Sequence, residues 1–409
     1  MVSVTRNNTP ALRFDGFDGE WRWAKLGDFG RVGMNKRIFK HQTAPTGDIP
    51  FYKIGTFGKA PDAFIPQSLY DAYRAKYPHP SVGAVLISAS GSIGRTLVYN
   101  GQPAYFQDSN IIWLDHNGGL LNSYLEQFYS ITDWNGIEGT TIRRLYNEQF
   151  LAVPIPVPPA IEEQRAIGEL LSDLDALIEH RRDKHANLKQ TKTALLQRMF
   201  PQDGADEPEL RLGGFSGAWE AKPLKNLGSS YGGLTGKTKE DFGHGDARYI
   251  TYLDVFERAL ITDASRLGTT DIDNRQNEVK IGDVLFTVSS EVPEEVGMSA
   301  VWLGQGRSIY LNSFCFGFRP IAELDSKFLA YVLRSPDFRK KMTLLAQGIS
   351  RFNISKTRAM ELEISFPTLE EQRAIGEVFA DLDALIAAER RYITQLVQAK
   401  TALLQRMFV

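Results

Sequence analysis

The sequence predicts an α+β protein in which two mixed α/β globules are each followed by a long coiled-coil helix, the second half of the chain repeating the first. Three observations lead there. Two blocks of the chain recur at one constant spacing. The segment they enclose lacks proline and carries apolar residues in alternating steps of four and three. The stretches outside it are short apolar runs broken by glycine turns.

The repeat organises the other elements. Glu162-Glu163-Gln164-Arg165-Ala166-Ile167-Gly168-Glu169 returns as Glu370-Glu371-Gln372-Arg373-Ala374-Ile375-Gly376-Glu377, and the eight residues from Thr193 to Phe200 return as Thr401 to Phe408. Both pairs lie 208 residues apart (370 − 162 and 401 − 193), so a segment of about 39 residues keeps one length in both copies. The starts of the halves repeat more faintly. Leu12, Arg13, Gly16, Phe17, Gly19, Trp21 and Leu26 match Leu210, Arg211, Gly214, Phe215, Gly217, Trp219 and Leu224 at an offset of 198 (210 − 12). Between them the middles hardly match. Ile49–Ile54 stands opposite Ala247–Tyr252, and Val82–Ser88 opposite Ile281–Thr287. Duplication with drift accounts for the repeat, but not for helices that stay alike while the globules part. Two readers of different targets on a fixed frame accounts for both.

The first helix is expected from Glu162 to Phe200, where Gly168 is the only glycine. Its seam runs Ile167, Leu171, Leu174, Ile178, Arg181, His185, Leu188, Lys192, Leu195, Met199. The second runs Ile375, Phe379, Leu382, Ile386, Glu389, Ile393, Leu396, Lys400, Leu403, Met407. Each seam is polar in its middle. If the helices pack antiparallel, Arg181 and Glu389 are expected near one another. Pro154, Pro156, Pro158 and Pro159 precede the first helix and Pro367 the second, and Glu-Glu in each first turn suits the positive end of the helix dipole. About 38 residues of helix span roughly 57 Å. The boundaries follow: a first globule over 1–158, a helix over 159–200, a second globule over 201–366 and a helix over 367–409.

Inside the globules, strands are expected at Val85–Ile87, Asn110–Leu114, Val284–Thr287 and Phe314–Phe318, and short helices at Gly119–Tyr129 and Ser326–Leu333. Little catalytic chemistry is visible. One cysteine, Cys315, excludes a disulfide framework, and six histidines lack metal-ligand spacing. Gly232-Gly233-Leu234-Thr235-Gly236-Lys237-Thr238 has Tyr231 where a phosphate loop needs glycine. Asp271 and Asp273 ahead of Glu278-Val279-Lys280 lack the apolar strand of a nuclease site. No methyltransferase motif is present. No apolar run approaches the roughly 20 residues that span a bilayer, and the N-terminal residues have no signal-peptide core, so a soluble, cytoplasmic protein is expected. A net charge of −2 and a pI near 6.4 do not advertise nucleic-acid binding, although a basic face can coexist with an acidic one.

The pattern points to binding rather than catalysis. Reading DNA requires arginine and lysine for guanine edges and phosphates, asparagine and glutamine for adenine, and glycine for close approach. The first globule offers Lys36, Arg37, Lys40, His41, Lys53, Ser90, Ser92, Arg95, Arg143 and Arg144. The second offers Lys237, Thr238, Lys239, Arg248, Tyr252, Ser289, Ser290, Arg351, Asn353 and Lys356. Any one of them alone is an ordinary solvated side chain. As clusters on glycine-rich loops they carry more weight. The competing reading is a scaffold with two binding globules on a helical strut and no DNA contact.

Two copies of Pro-x-x-Glu-Glu-Gln-Arg, at Pro159–Arg165 and Pro367–Arg373, each opening a long helix, resemble the specificity subunit of type I restriction-modification enzymes. The Tyr231–Lys237 stretch and the Ser90–Gly94 loop share the likeness, which covers essentially the whole chain. The resemblance implies two target-recognition domains separated by two long antiparallel helices, a pseudo-twofold internal repeat. Each domain would bind one half of a split, asymmetric DNA sequence, and the helices would set the gap. It implies no catalytic activity and no bound cofactor in this chain. The implied partners are double-stranded DNA, two modification subunits that use S-adenosylmethionine, and restriction subunits that use ATP and Mg, with no membrane. On that reading the helices pack through Ile167, Leu171, Leu174, Ile178, Leu188 and Leu195 against Ile375, Phe379, Leu382, Ile386, Leu396 and Leu403.

Overall fold

The computed structural model describes residues 8–134, 144–202 and 204–408. The chain divides into two units, one holding the residues up to Arg182 together with those from Tyr392 onward, the other Asp183–Arg391. Each unit therefore contains one globule, the first half of the helix that follows it and the last part of the other helix.

In the first unit the globule opens with β1 (Arg22–Lys25) and β2 (Gly30–Gly33), continues through β3 (Ile49–Tyr52), β4 (Phe64–Ile65) and α1 (Gln67–Lys76), and then forms β5 (Val85–Ser88), β6 (Thr96–Val98), β7 (Tyr105–Phe106) and β8 (Ile111–His116). It ends with α2 (Asn122–Ile131), α3 (Asn147–Leu151) and β9 (Pro154–Val157), which leads into α4 (Ile161–Arg198). The main sheet is ordered β2-β8-β5-β6 and a second sheet β4-β3-β7, while β1 pairs with β9. Every residue of β5 is buried, as the continuous apolar run Val-Leu-Ile of a central strand requires.

The second unit repeats the plan. Its globule runs β10 (Glu220–Pro223), α5 (Leu224–Leu227), β11 (Gly228–Gly232), β12 (Phe242–Ile250), α6 (Tyr252–Glu257), β13 (Leu260–Ile261) and β14 (Gly268–Thr270). It goes on through β15 (Val284–Thr287), β16 (Ser289–Ser290), β17 (Ser299–Trp302), β18 (Ile309–Leu311) and β19 (Cys315–Pro320). Then come α7 (Ser326–Val332), α8 (Pro336–Thr343), β20 (Phe352–Asn353), α9 (Lys356–Ala359), β21 (Glu363–Phe366) and α10 (Leu369–Met407). The main sheet is β11-β19-β15-β17-β13, beside β14-β12-β18, β10-β21 and β16-β20. The parallel pairs β3–β7 and β12–β18 correspond, as do the antiparallel pairs β1–β9 and β10–β21.

The helices pack antiparallel within each unit. In the first, Lys400 of α10 donates to both carboxylate oxygens of Asp175 on α4 at 2.6 Å. In the second, Lys192 of α4 donates to Asp383 on α10. Both are the same pair displaced by 208 residues. All twenty seam positions are buried or half-buried, from Ile167 and Leu171 at one end to Met407 at the other. The polar middle is engaged inside each unit: the Arg181 guanidinium lies 4.6 Å from the centre of the Tyr392 ring, and Glu389, 7% exposed, takes an ion pair from Lys184. Each globule core is closed by both helices. Trp21, Ile87, Tyr124 and Phe150 pack with Ile167, Leu171, Leu404 and Phe408. Phe286, Phe318, Phe328 and Tyr331 pack with Met199, Phe200, Ile375 and Phe379.

Candidate nucleic-acid interface

The repeated Glu-Glu-Gln-Arg block bolts each helix to its globule. The second glutamate of each copy is buried, and an arginine about 150 residues earlier clamps it. Arg13 donates to the Glu163 carboxylate from Nε at 2.7 Å and from Nη2 at 2.8 Å, and also to the carbonyls of Asp18 and Gly19. Arg211 donates to Glu371 twice at 2.8 Å and to the Gly217 carbonyl. The paired carboxylate raises both guanidinium pKa values above their ordinary range. The turn residues Gly19 and Gly217 both hold positive φ, near +79° and +93°. This explains why the arginine and the second glycine, Gly19 and Gly217, recur at the start of each half.

The glutamine of the motif reaches the next element. Gln164 Oε1 accepts from the Leu121 backbone N–H at 3.0 Å, just before α2, and Gln372 Oε1 accepts from Asp325, just before α7. The glycine lets these short helices approach. A Cβ at Gly168 would stand 2.4 Å from Ser123 Oγ, and one at Gly376 2.8 Å from both Asp325 Oδ1 and Phe328 N. The motif is thus a structural joint, and its reach across the chain is what sequence spacing alone does not reveal.

On this frame the end of each central strand forms a polar seat. After β5, the Ala89 N–H donates to the Asn110 carbonyl and the Leu145 N–H to the Ala89 carbonyl, each at 2.8 Å. After β15, Val288 donates to Phe314 and Ile354 to Val288, each at 3.0 Å. The next residues, Ser90 and Ser289, face Arg144 and Asn353 respectively. The backbone is shared; the side chains differ. In the first seat Ser90 Oγ donates to Asn110 Oδ1 at 2.8 Å, and Arg144 Nη2 donates to the carbonyl of Ser109, a residue held at φ +53°. In the second, Phe314 replaces the asparagine and Asn353 the arginine. Ser290 donates to Glu295, Tyr252 Oη donates to the Ser289 carbonyl at 2.7 Å, and the Arg351 guanidinium lies 6.0 Å from the Phe314 ring centre. Asn110 and Phe314 are not among the residues that sequence reasoning singles out. Their signal is their place at the start of the strands expected at Asn110–Leu114 and Phe314–Phe318; their bonds to Ala89 and Val288 emerge only from the strand pairing.

The other candidates divide. Arg37 pairs with Asp108 at 2.9 Å, two residues from Asn110, which brings it to the first seat. Ser92 lends its carbonyl to Ser88 Oγ. The Arg95 guanidinium is half-buried and donates to the Ile54 and Phe57 carbonyls, bracing the loop that carries Lys53, itself paired with Asp62. Lys36 covers the Tyr77 ring at 5.2 Å. Arg143 lies outside the described residues. In the second unit Lys356 is exposed at the start of α9, two residues beyond Ile354. Lys237 pairs with Asp273, Thr238 caps the turn at Asp241, Lys239 is exposed, and Arg248 lies in β12 between Thr269 and Ile309. These four are tied to β12 and its neighbours rather than to the Ser289 seat.

Two half-buried arginines brace the second globule around this seat. Arg339 donates to the carbonyls of Glu294, Val296 and Gly297, fixing the loop after Ser290. Arg334 holds four further carbonyls, including Ser299 and Arg258. Burial pushes both guanidinium pKa values down to about 10. Burial also pushes the Cys315 thiol up to about 12, which makes it an inert packing residue. Glu278 accepts from the Ser308 backbone, and Gly233 packs against the Asn312 carbonyl, where a Cβ would stand at 2.1 Å. Among the described residues, no group of three or more His, Cys, Asp or Glu side chains is placed to hold a metal ion. None of the described helices is long and apolar enough to cross a membrane.

The family model of the type I restriction modification DNA specificity domain matches twice, over residues 18–190 and 217–398. The chain belongs to this family. Each match takes in a globule, its seat and most of the helix behind it. A putative type I restriction enzyme specificity subunit of Haemophilus influenzae is 53% identical over 154 residues, 37% of this chain and 40% of that protein's length. The MjaVIII specificity subunit of Methanocaldococcus jannaschii is 23% identical over 335 residues, 78% of this chain and 74% of the relative. The crystal structure of the type I system S subunit from M. genitalium shares the fold, with a TM-score of 0.60 at 14% identity over 98% of this chain and 99% of that one. A chain from a structure of type I R-M complex assembly aligns over 96% of this specificity-family chain at a TM-score of 0.53 and 17% identity.

Proposed function

We propose that this specificity-family chain reads a split, asymmetric DNA target for a type I restriction-modification system, one half-site per seat. One observation carries the reading: two seats with the same backbone connections, each opening on a serine, present different side chains beside it, Asn110 and Arg144 against Phe314 and Asn353. A guanidinium matches the two acceptors of guanine in the major groove, and a carboxamide matches the donor–acceptor pair of adenine. Equal frames with unequal edges suit two unequal half-sites. The helices serve as the spacer, since 38 and 39 residues of α-helix each span roughly 57 Å. Half-sites about one turn apart, ~34 Å, suit such a spacer.

The chain acts without catalysis and holds no cofactor of its own. Two modification subunits bring S-adenosylmethionine, and restriction subunits bring ATP and Mg. The assembly works in the cytoplasm. The net charge of −2 argues that the partner subunits supply much of the phosphate contact.

Co-expression with a modification partner, followed by genome-wide detection of methylated adenine, tests this. The expected result is one split, asymmetric motif methylated only when this chain is present. Arg144→Ala should relax one half-site and Asn353→Ala the other, each by about 1–3 kcal/mol of discrimination. A stable complex that methylates no motif would overturn the reading in favour of a scaffold.

A further inference from the structure

The second seat carries an element that its polar residues do not account for. Gln347 and Asn353 exchange backbone hydrogen bonds at 3.0 and 2.9 Å and close a hairpin whose tip is Gly348-Ile349-Ser350-Arg351-Phe352. Ile349 at that tip is 97% exposed. An isolated exposed isoleucine needs no explanation on most surfaces. This one is presented by a built support. Gly348 holds φ +141°, and a Cβ there would stand 2.1 Å from the Arg351 carbonyl, so the turn is tight and admits only glycine comfortably. Arg351 is braced on Phe314, which is itself 56% exposed. The base of the hairpin is anchored in the seat through Ser289 and Asn353.

An apolar tip on the same hairpin as Arg351 and Asn353 fits one feature of a DNA edge. The thymine C5-methyl is the apolar group in the major groove, and it lies beside the donors and acceptors that such polar residues read. Lys356 and Arg358, both exposed on α9 just beyond the hairpin, supply positive charge toward a phosphate backbone. The acidic residues nearby are Glu291, Glu294 and Glu295, of which Glu295 accepts from Ser290. A carboxylate there disfavours a phosphate but suits a cytosine amino group. The combination favours a base edge over a protein surface as the occupant. Resting on the DNA-reading function above, we propose that Ile349 is a specificity residue of the second unit, packing on a thymine methyl in the half-site that this unit reads.

The test uses the full chain assembled with its modification subunits, and duplexes carrying the methylated motif with each thymine replaced in turn by deoxyuridine. For the wild-type complex, deoxyuridine at one position of one half-site should weaken binding about fivefold. Ile349→Ala should weaken binding to the thymine duplex by a similar factor and abolish the difference between thymine and deoxyuridine at that position. Ile349→Ser, equally harmless to folding at so exposed a site, should behave alike. If the wild-type complex methylates a motif but Ile349→Ala leaves affinity and the deoxyuridine response unchanged, the assignment is overturned while the DNA-reading function stands. If Ile349→Ala weakens all duplexes equally and the deoxyuridine effect persists, the residue acts as a wedge or a subunit contact, and the assignment again fails. A wild-type complex with no motif overturns both.

Discussion

The joint at the base of each globule and the seat at the end of its central strand sit on the same repeat and follow opposite rules. The joints share one set of principal contacts: an arginine clamps a buried glutamate, a glutamine meets the backbone ahead of a short helix, and a glycine lets that helix close in. The seats agree only in backbone, with Asn110 against Phe314 and Arg144 against Asn353. A buried ion pair tolerates little change, because either partner left alone is an uncompensated charge. At the seats the buried Ser289 corresponds to another serine, Ser90, whereas the side chains that differ, Asn110 and Arg144 against Phe314 and Asn353, are half-buried or exposed, where many side chains are tolerated once the backbone bonds are made. Constancy and variety in this molecule therefore follow from burial.

The comparison also contains an asymmetry that mutation can enlarge. Trp21 Nε1 donates to Glu163 at 3.3 Å, whereas Trp219 Nε1 is buried with no hydrogen-bond partner among the described residues. Removing the arginine should therefore hurt the second unit more. Arg211→Ala should cost about 3–5 kcal/mol, and Arg13→Ala somewhat less, because the indole still serves the carboxylate. Urea unfolding of the two variants would check the order; equal losses would show that the indole contributes nothing.

A smaller effect separates the two glycines. Alanine in a helix interior ordinarily gains about 1 kcal/mol over glycine. Here the added Cβ meets Ser123 Oγ at 2.4 Å in one copy and the capping carboxylate Asp325 at 2.8 Å in the other. Overpacking costs about 1–3 kcal/mol. Gly168→Ala should thus be destabilising, and Gly376→Ala less so, as read by melting temperature. A rise in melting temperature for either would mean that the short helix shifts without penalty.

The smallest effect belongs to the helix pair. Lys400–Asp175 and Lys192–Asp383 are partly exposed ion pairs, so Lys400→Ala and Lys192→Ala should each cost no more than about 1 kcal/mol, less still at high salt. Unequal salt dependence of the two would mean that the donors added from the globules, Gln127 to Asp175 and Tyr331 to Asp383, are not equivalent.

Much of this architecture is legible in the order of residues alone. Proline-free heptads mark α4 and α10 almost to their ends, and the apolar runs at Val85 and Val284 form β5 and β15, buried throughout. Ser90, Arg144, Ser289 and Asn353 stand out on chemistry alone, and the fold brings them together in pairs. Other features need the third dimension. Arg13 and Glu163 each stand out as repeated residues, but nothing local couples positions 150 apart. Arg95 reads as a surface base until its guanidinium is found under the Ile54 and Phe57 carbonyls. Lys237 and Arg351 look alike in sequence, yet one pairs with Asp273 and the other caps an exposed phenylalanine. Polarity shows which side chains seek partners; the fold decides whether a partner is already present.

The two helix exits are fastened by the same bond. The Leu210 N–H donates to the Arg198 carbonyl at the end of α4, and the Leu12 N–H donates to the Arg406 carbonyl at the end of α10, both at 2.8 Å. In the second unit the bonded residues are near neighbours along the chain; in the first they stand almost a full chain length apart. Peptide continuity is thus not what fastens a helix exit to the globule beside it. A protease cutting within residues 202–207, or a gene divided at that stretch, would open the polypeptide there and still leave the fastening that the first unit already lives by.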